Sequence, residues 1–320
     1  MAVSDHVVHH RNPQTDFQEA GCEGGDTIFS IDRLVEPLIV NTIKGWPNEL
    51  MPIVVVAEGM GDTGVIVIGN PEERPRYRLL LDPIDGTRGL MYDKRSAWFL
   101  AAAAPNHGEN TGLSDSFASV MVEIPNCKQF LADIWIGRRE AATTGIRRNT
   151  LSDERYDIKC SPSSSKTLRN GFAQVSNFFP GTKSLASDLM EVIAERCGHQ
   201  AIKGQSLIFD DQYISTGGQF VELMTGHDRF CCDLRPIFYE IIKRRTGKHP
   251  AIGLQCHPYD IAGLLAARNS GALITDAWGN ELDAPFDVST PIHWCGYANL
   301  AIKTLIFPVI QEWIATQLPK

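Results

Sequence analysis

The sequence predicts an α/β or α+β chain, and three observations lead there. Short apolar runs alternate with helical patterns along its whole length, as in sheets covered by helices. The composition, 43% hydrophobic and 21% charged, is that of a folded globular protein and too apolar for a disordered one. At about 100–200 residues per domain, a chain of 320 residues holds two domains or two lobes of one. A seam near Thr150–Ser165 would divide them into an N-terminal α+β lobe, 1–155, and a C-terminal α/β lobe, 156–320.

The elements can be taken in order. Asp32 is a suitable N-cap for a helix over Asp32–Ile43, which places Leu34, Val35, Leu38, Ile39 and Ile43 on one face, although Pro37 falls after its first turn. Strands are expected at Ile53–Val56, Val65–Ile68, Arg78–Leu81, Trp98–Ala103, Ser119–Glu123, Ala173–Val175 and Ala272–Thr275. Further helices are expected at Leu185–Cys197, Gly218–Met224, Ile237–Arg244 and Ile261–Ser270. His6, His9 and His10 match no metal motif and read as a mobile terminus.

Charge and cysteine usage exclude several classes. The net charge of −8 makes the chain a poor partner for nucleic acid or an anionic membrane. The longest apolar run, near Leu100–Pro105, is far short of the ~20 residues of a membrane span. The charged first twenty residues hold no signal-peptide core, which points to the cytoplasm. The 8 cysteines include no C-x-x-C pair and read as buried thiols in a reducing compartment.

Gly59-Met60-Gly61-Asp62-Thr63-Gly64 spells the glycine pattern of a dinucleotide-binding turn directly after a strand, and Asp82 follows at a fitting distance. That reading needs a helix to open at the third glycine. Val65-Ile66-Val67-Ile68, closed by Gly69 and Pro71, is instead a β-branched run. The glycines therefore belong to a loop between strands.

The chemistry is concentrated in Asp82-Pro83-Ile84-Asp85-Gly86-Thr87. An apolar strand ends in one carboxylate, turns at a proline, offers a second, and opens a helix at Gly-Thr. Two such acids can converge on hard cations, which take oxygen ligands, and a helix start can hold a phosphate beside them. An Asp-Pro turn followed by an Asp cap would produce the same letters without any ligand. Further acids follow strands or open helices at Glu58, Asp260 and Asp32. Each by itself is an ordinary cap or turn residue.

Together and in this order, these residues resemble the inositol monophosphatase superfamily, which includes fructose-1,6-bisphosphatases and bisphosphate nucleotidases. The resemblance runs from about Asp26 to Asp283, and within it Ala272–Asp276 and Gly279 resemble the strand and turn that follow the motif around Asp260 in relatives. It implies a layered α-β-α-β-α sandwich and Mg2+-dependent hydrolysis of phosphate monoesters. Carried over to this chain, Glu58, Asp82 and the carbonyl of Ile84 would ligate one ion. Asp82, Asp85 and Asp260 would ligate a second, and Glu58 would help to hold a weaker third. Thr87 and Asp32 would orient and deprotonate the attacking water. The backbone N–H groups of Gly86 and Thr87 would hold phosphate oxygens. Relatives are commonly dimers or tetramers, so a homo-oligomer acting on a small phosphorylated metabolite is expected.

The substrate is less determined. Gly226–Asp233 resembles the stretch where inositol-phosphate enzymes set an acid against ring hydroxyls, which would make Asp233 a substrate contact; a solvated loop aspartate is the plain alternative. Arg88-Gly89-Leu90 instead resembles the bisphosphate nucleotidases. Tyr259 stands where the family usually has Trp, and Gly59 where many relatives carry a second acid. Leu234–Gly253 reads as an insertion, with Lys243, Arg244, Arg245, Lys248 and His249 forming either a solvated helix end or a clamp for a second phosphate. A catalytically quiet relative would lack part of the ligand set, and here all of it is present.

Overall fold

The computed structural model describes residues 1–10, 19–23, 26–61, 63–198 and 205–318, with side chains undescribed at 10, 19–23, 26–30 and 32–34. Helix α1 spans Ala2–His10, and the hairpin strands β1 and β2 span Glu19–Glu23 and Asp26–Phe29. Helix α2 (Ser30–Lys44) starts two residues before the expected Asp32 and continues through Pro37, which lies on its exposed side.

Strands β3 (Ile53–Ala57), β4 (Val65–Ile68), β5 (Tyr77–Asp85), β6 (Ala97–Pro105), β7 (Ala118–Ile124), β8 (Leu131–Arg138), β9 (Ala141–Asn149) and β10 (Arg155–Ile158) form one sheet in the order β10-β9-β8-β7-β6-β5-β3-β4. A five-residue helix, α3 (Thr87–Met91), lies between β5 and β6. The second sheet contains β11 (Gly171–Val175), β12 (Ile208–Phe209), β13 (Asp228–Asp233), β14 (Leu273–Thr275) and β15 (Trp294–Tyr297), ordered β12-β11-β13-β15-β14. Helices α4 (Lys183–Cys197), α5 (Thr216–Thr225), α6 (Arg235–Thr246), α7 (Leu264–Asn269) and α8 (Leu300–Gln317) complete the chain.

Strand parity stacks these parts into layers. Successive side chains in a strand face opposite ways. Ile53, Val55, Leu79 and Leu81 turn outward onto Val35, Ile39 and Ile43 of α2 and Val3 and Val7 of α1. Val54, Val56, Leu80 and Leu100 turn inward onto Phe220 and Leu223 of α5 and Leu264 and Ala267 of α7, which also meet Cys231, Ile274 and Trp294 of the second sheet. The far face of that sheet, with Val175, Phe230, Cys232 and Tyr297, packs on Leu189 of α4, Phe238 of α6 and Ile306 and Trp313 of α8. The result is the α-β-α-β-α sandwich that the resemblance implies.

Several expectations are corrected. The terminus bearing His6, His9 and His10 is helical, because Val3 and Val7 are spaced one turn apart and buried. Gly59, Gly61 and Gly64 fall, as expected, between strands, here the antiparallel β3 and β4. Gly59, Gly61 and Gly64 all have φ between +62° and +77°, a region favourable to glycine. The chain crosses between the sheets in 159–170. Strands β8–β10, β13 and β15 and helices α1 and α8 come in addition to the elements expected from the sequence. Cys197, Cys231, Cys232, Cys256 and Cys295 are buried free thiols, as expected. Among the described residues no helix is long and apolar enough to cross a membrane.

Candidate metal centre

The site begins with a bulge. Strand β5 does not stop at Leu81 but continues through Asp85, so Asp82–Asp85 is strand rather than a turn beyond it. Against β6, Asp82 pairs with Leu100 and Asp85 with Trp98: three steps along one strand match two along the other. In a regular strand, residues three apart face opposite ways. The one extra residue of the bulge cancels that inversion and brings both carboxylates to the inner face. Proline suits the bulge because it has no N–H for the ladder. Gly86 follows at φ 97°, where a Cβ would lie 3.0 Å from Cβ of Ser215.

Asp260 arrives from the other side of the layer, in a 3-10 turn (Tyr259–Ile261) after Pro258 and ahead of α7, so the expected helix Ile261–Ser270 is split. Carboxylate oxygens of Asp82, Asp85 and Asp260 lie within 4.8 Å of one another. Glu58, at the end of β3, lines the same cavity of about 100 Å³ but stands outside that tight group. Ile84, Gly86 and Thr87 line it as well. Thr87 Oγ1 donates to the Ile84 carbonyl at 2.8 Å. Asp32 belongs to α2, but its side chain lies outside the described residues. Glu36, one helical turn further along α2, reaches the cavity wall; the spacing i, i+4 from Asp32 is the one sequence signal that could have found it.

The carboxylates are held differently. Asp82 accepts from the Ile84 N–H at 3.0 Å. Asp260 accepts from the His257 N–H at 2.6 Å. Asp85 accepts Ser215 Oγ–H at 2.8 Å, the Gly217 N–H at 2.6 Å and the Thr216 N–H at 3.3 Å. It thus docks the start of α5, while Ser215 Oγ accepts from the Gly218 N–H as the helix cap. A carboxylate has about four acceptor positions, so Asp85 retains one. Ser215, Thr216 and Gly217 were not foreseeable as site residues, since only the Ser-Thr ahead of the helix marks a cap.

Burial is the largest influence on all three acids. It raises Asp82 well above the ordinary carboxylate range, helped by repulsion from Asp85, Asp260 and Glu58. It raises Asp260 likewise, helped first by Asp85. Asp85 rises to about 7, against the pull of its hydrogen bonds and of Arg235. Among the described residues no Lys or Arg is ion-paired with any of them. Three crowded oxygen donors without a cation of their own fit a hard divalent ion such as Mg2+.

Asp233 does not come to this cavity. It is fully buried at the end of the central strand β13, not in a loop, and Arg235 takes both of its oxygens. Arg235, together with Arg88, lines the cavity instead. Lys243 and Arg244 are surface groups paired with Glu240 on α6, and Arg245 bonds Gln317 of α8. With Lys248 and His249 also exposed, this cluster is a solvated helix end rather than part of the cavity.

No family model and no curated protein sequence matches the chain. Solved structures do match. The extragenic suppressor protein SuhB from Bartonella henselae aligns over 97% of this chain and 94% of its own, at TM-score 0.62 and 16% identity. The Thermotoga maritima IMPase aligns over 98% and 95%, at 0.60 and 16%. Leishmania major fructose-1,6-bisphosphatase aligns over 97% and 90%, at 0.66 and 10%. The protein therefore has the fold of the superfamily that its Asp82–Thr87 segment resembles.

Proposed function

We propose that the chain hydrolyses a phosphate monoester of a small sugar or cyclitol in a Mg2+-dependent reaction with water as nucleophile. The observation that carries this reading is the convergence of Asp82, Asp85 and Asp260 within 4.8 Å in a buried cavity. The shared fold adds to it, although a fold alone hosts many activities.

In this reading Glu58, Asp82 and the Ile84 carbonyl would hold one ion, and Asp82, Asp85 and Asp260 a second. Glu58 would also help to hold a weaker third. Bound there, such ions neutralise the phosphate, acidify water and take up charge on the leaving oxygen. Thr87, its hydroxyl fixed by donation to the Ile84 carbonyl, works with Asp32 to orient the attacking water and receive its proton. The turn at Gly86 and Thr87 faces the phosphate.

A second reading has an observation of its own. Arg88 and Arg235 on the cavity wall favour a substrate with two phosphates, as in fructose-1,6-bisphosphate or a 3′,5′-bisphosphonucleoside. A quiet regulatory role is disfavoured by the complete set of acids. We further propose a cytoplasmic homo-oligomer, dimer or tetramer, which sedimentation would test.

Phosphate release from phosphorylated sugars, cyclitols and nucleotide bisphosphates, with Mg2+ and with chelator, tests the reaction. Chelator-sensitive release from one compound class supports it. Release indifferent to chelator overturns it.

A further inference from the structure

Arg235 is unusual for its confinement. It follows the buried end of β13 and is 3% exposed, beside an Asp233 that is 0% exposed. Its Nε donates to both Asp233 carboxylate oxygens at 2.9 Å, Nη2 also bonds Asp233, and Nη1 donates to the Leu254 carbonyl at 2.8 Å. The rings of Phe178 and Phe179 lie 5.1 and 5.6 Å from the guanidinium carbon, a distance at which aromatic faces attract cations.

A guanidinium carries five N–H groups. These contacts use one on Nε, one on Nη2 and one on Nη1, leaving one on each terminal nitrogen. The side chain also forms part of the cavity wall with Asp85 and Asp260. The two remaining donors are thus held in a buried place beside the carboxylate cluster. Paired donors of this kind match the oxygens of a phosphate or carboxylate. A neutral hydroxyl oxygen can accept from them too, but without the charge assistance that an anionic oxygen gives each bond.

We propose that Arg235 is a specificity-determining residue that selects substrates bearing a second anionic oxyacid group, phosphate or carboxylate, besides the phosphate that is removed. Asp233 and the Phe178–Phe179 rings act as its mount. The proposal rests on the phosphohydrolase reading above for the identity of the first group.

The test compares matched probes: fructose 1-phosphate with fructose 1,6-bisphosphate, and glucitol 6-phosphate with gluconate 6-phosphate. Binding is measured by calorimetry and phosphate release by assay, both with Mg2+. Two charge-assisted hydrogen bonds predict about tenfold to hundredfold tighter binding of the more anionic member. The first pair reports a phosphate, the second a carboxylate. Arg235→Gln should reduce the ratio at least tenfold. Because that variant strands Asp233 as a buried charge, Asp233→Asn/Arg235→Gln serves as the uncharged control and should show the same loss. Equal affinity within both pairs for the unaltered protein overturns the proposal. So does a preference that survives in either folded variant. Absence of phosphate release from every probe would sink the hydrolase reading alone, since the calorimetric ratio still decides the role of Arg235.

Discussion

Two buried strands of this molecule end in a buried aspartate, and the two ends are treated oppositely. At the end of β13, Asp233 meets Arg235, and the charge is answered within the chain. Near the end of β5, Asp82 meets two more carboxylates and one backbone N–H, and among the described residues no Lys or Arg is ion-paired with it. Burying an ionised carboxylate is affordable only with a counter-charge. The first end is therefore a finished structural joint. The second would be completed by a cation from solution, in line with the function proposed above.

The sharpest way to break this contrast is to neutralise each aspartate in turn. Asp82→Asn keeps the acceptor for the Ile84 N–H but removes the charge that holds ions. If bound cations supply several kcal/mol of transition-state stabilisation, kcat/KM should fall by about a thousandfold or more. The same variant should melt higher than the unaltered protein in chelator, because repulsion from Asp85, Asp260 and Glu58 is relieved. A lower melting temperature in chelator would mean that Asp82 is already compensated. Asp233→Asn should do the reverse to stability. It strands Arg235, and losing one partner of a buried pair costs about 3–5 kcal/mol, read as a lower urea midpoint with or without Mg2+.

A smaller effect is expected from Tyr259, which stands where a tryptophan was expected. Its hydroxyl lies 3.3 Å from His257 Nδ1, and its side chain lines the cavity beside Glu58. A group that orients a ligand typically contributes about 10–100-fold to metal affinity, so Tyr259→Phe should raise the Mg2+ concentration for half-maximal activity by about that factor. Calorimetric Mg2+ binding unchanged from the unaltered protein would show that Glu58 needs no such support.

How much of this is legible in the sequence follows from where each interaction reaches. Asp82–Thr87 is a contiguous segment, so the acids, the proline and the glycine announce themselves. The bulge that turns Asp82 and Asp85 to one face depends on pairing with Leu100 and Trp98, which no local pattern encodes. The three donors to Asp85 come from a segment distant in sequence, and so do the Phe178 and Phe179 rings beside Arg235. Helix α8 has buried residues at helical spacing, Ile302, Ile306, Val309, Ile310, Trp313 and Ile314, but Pro308 argues locally against it. The packing tolerates that proline on the exposed side. Strand β9 (AATTGIRRN) is mostly uncovered, so polar letters hide it.

The smallest predicted effect concerns pH, and it separates the two aspartates most cleanly. Asp85 titrates near 7 in the folded chain, against an ordinary 3.8, and Asp82 and Asp260 are raised too. Between about pH 4 and 7 the folded state therefore binds more protons than the unfolded one. Stability rises with pH where the unfolded state holds more protons; here the sign is opposite, so in chelator the melting temperature should fall as pH climbs through that window. A loss of about 1 kcal/mol would appear as a shift of a few degrees in a chain of this size. Saturating Mg2+ should flatten the slope, because the ions displace those protons, and the affinity for Mg2+ should itself strengthen with pH. Asp82→Asn should also flatten it in chelator, whereas Asp233→Asn should lower the whole curve and leave its slope in place. A slope unchanged by Mg2+ would place the titrating groups somewhere other than the end of β5.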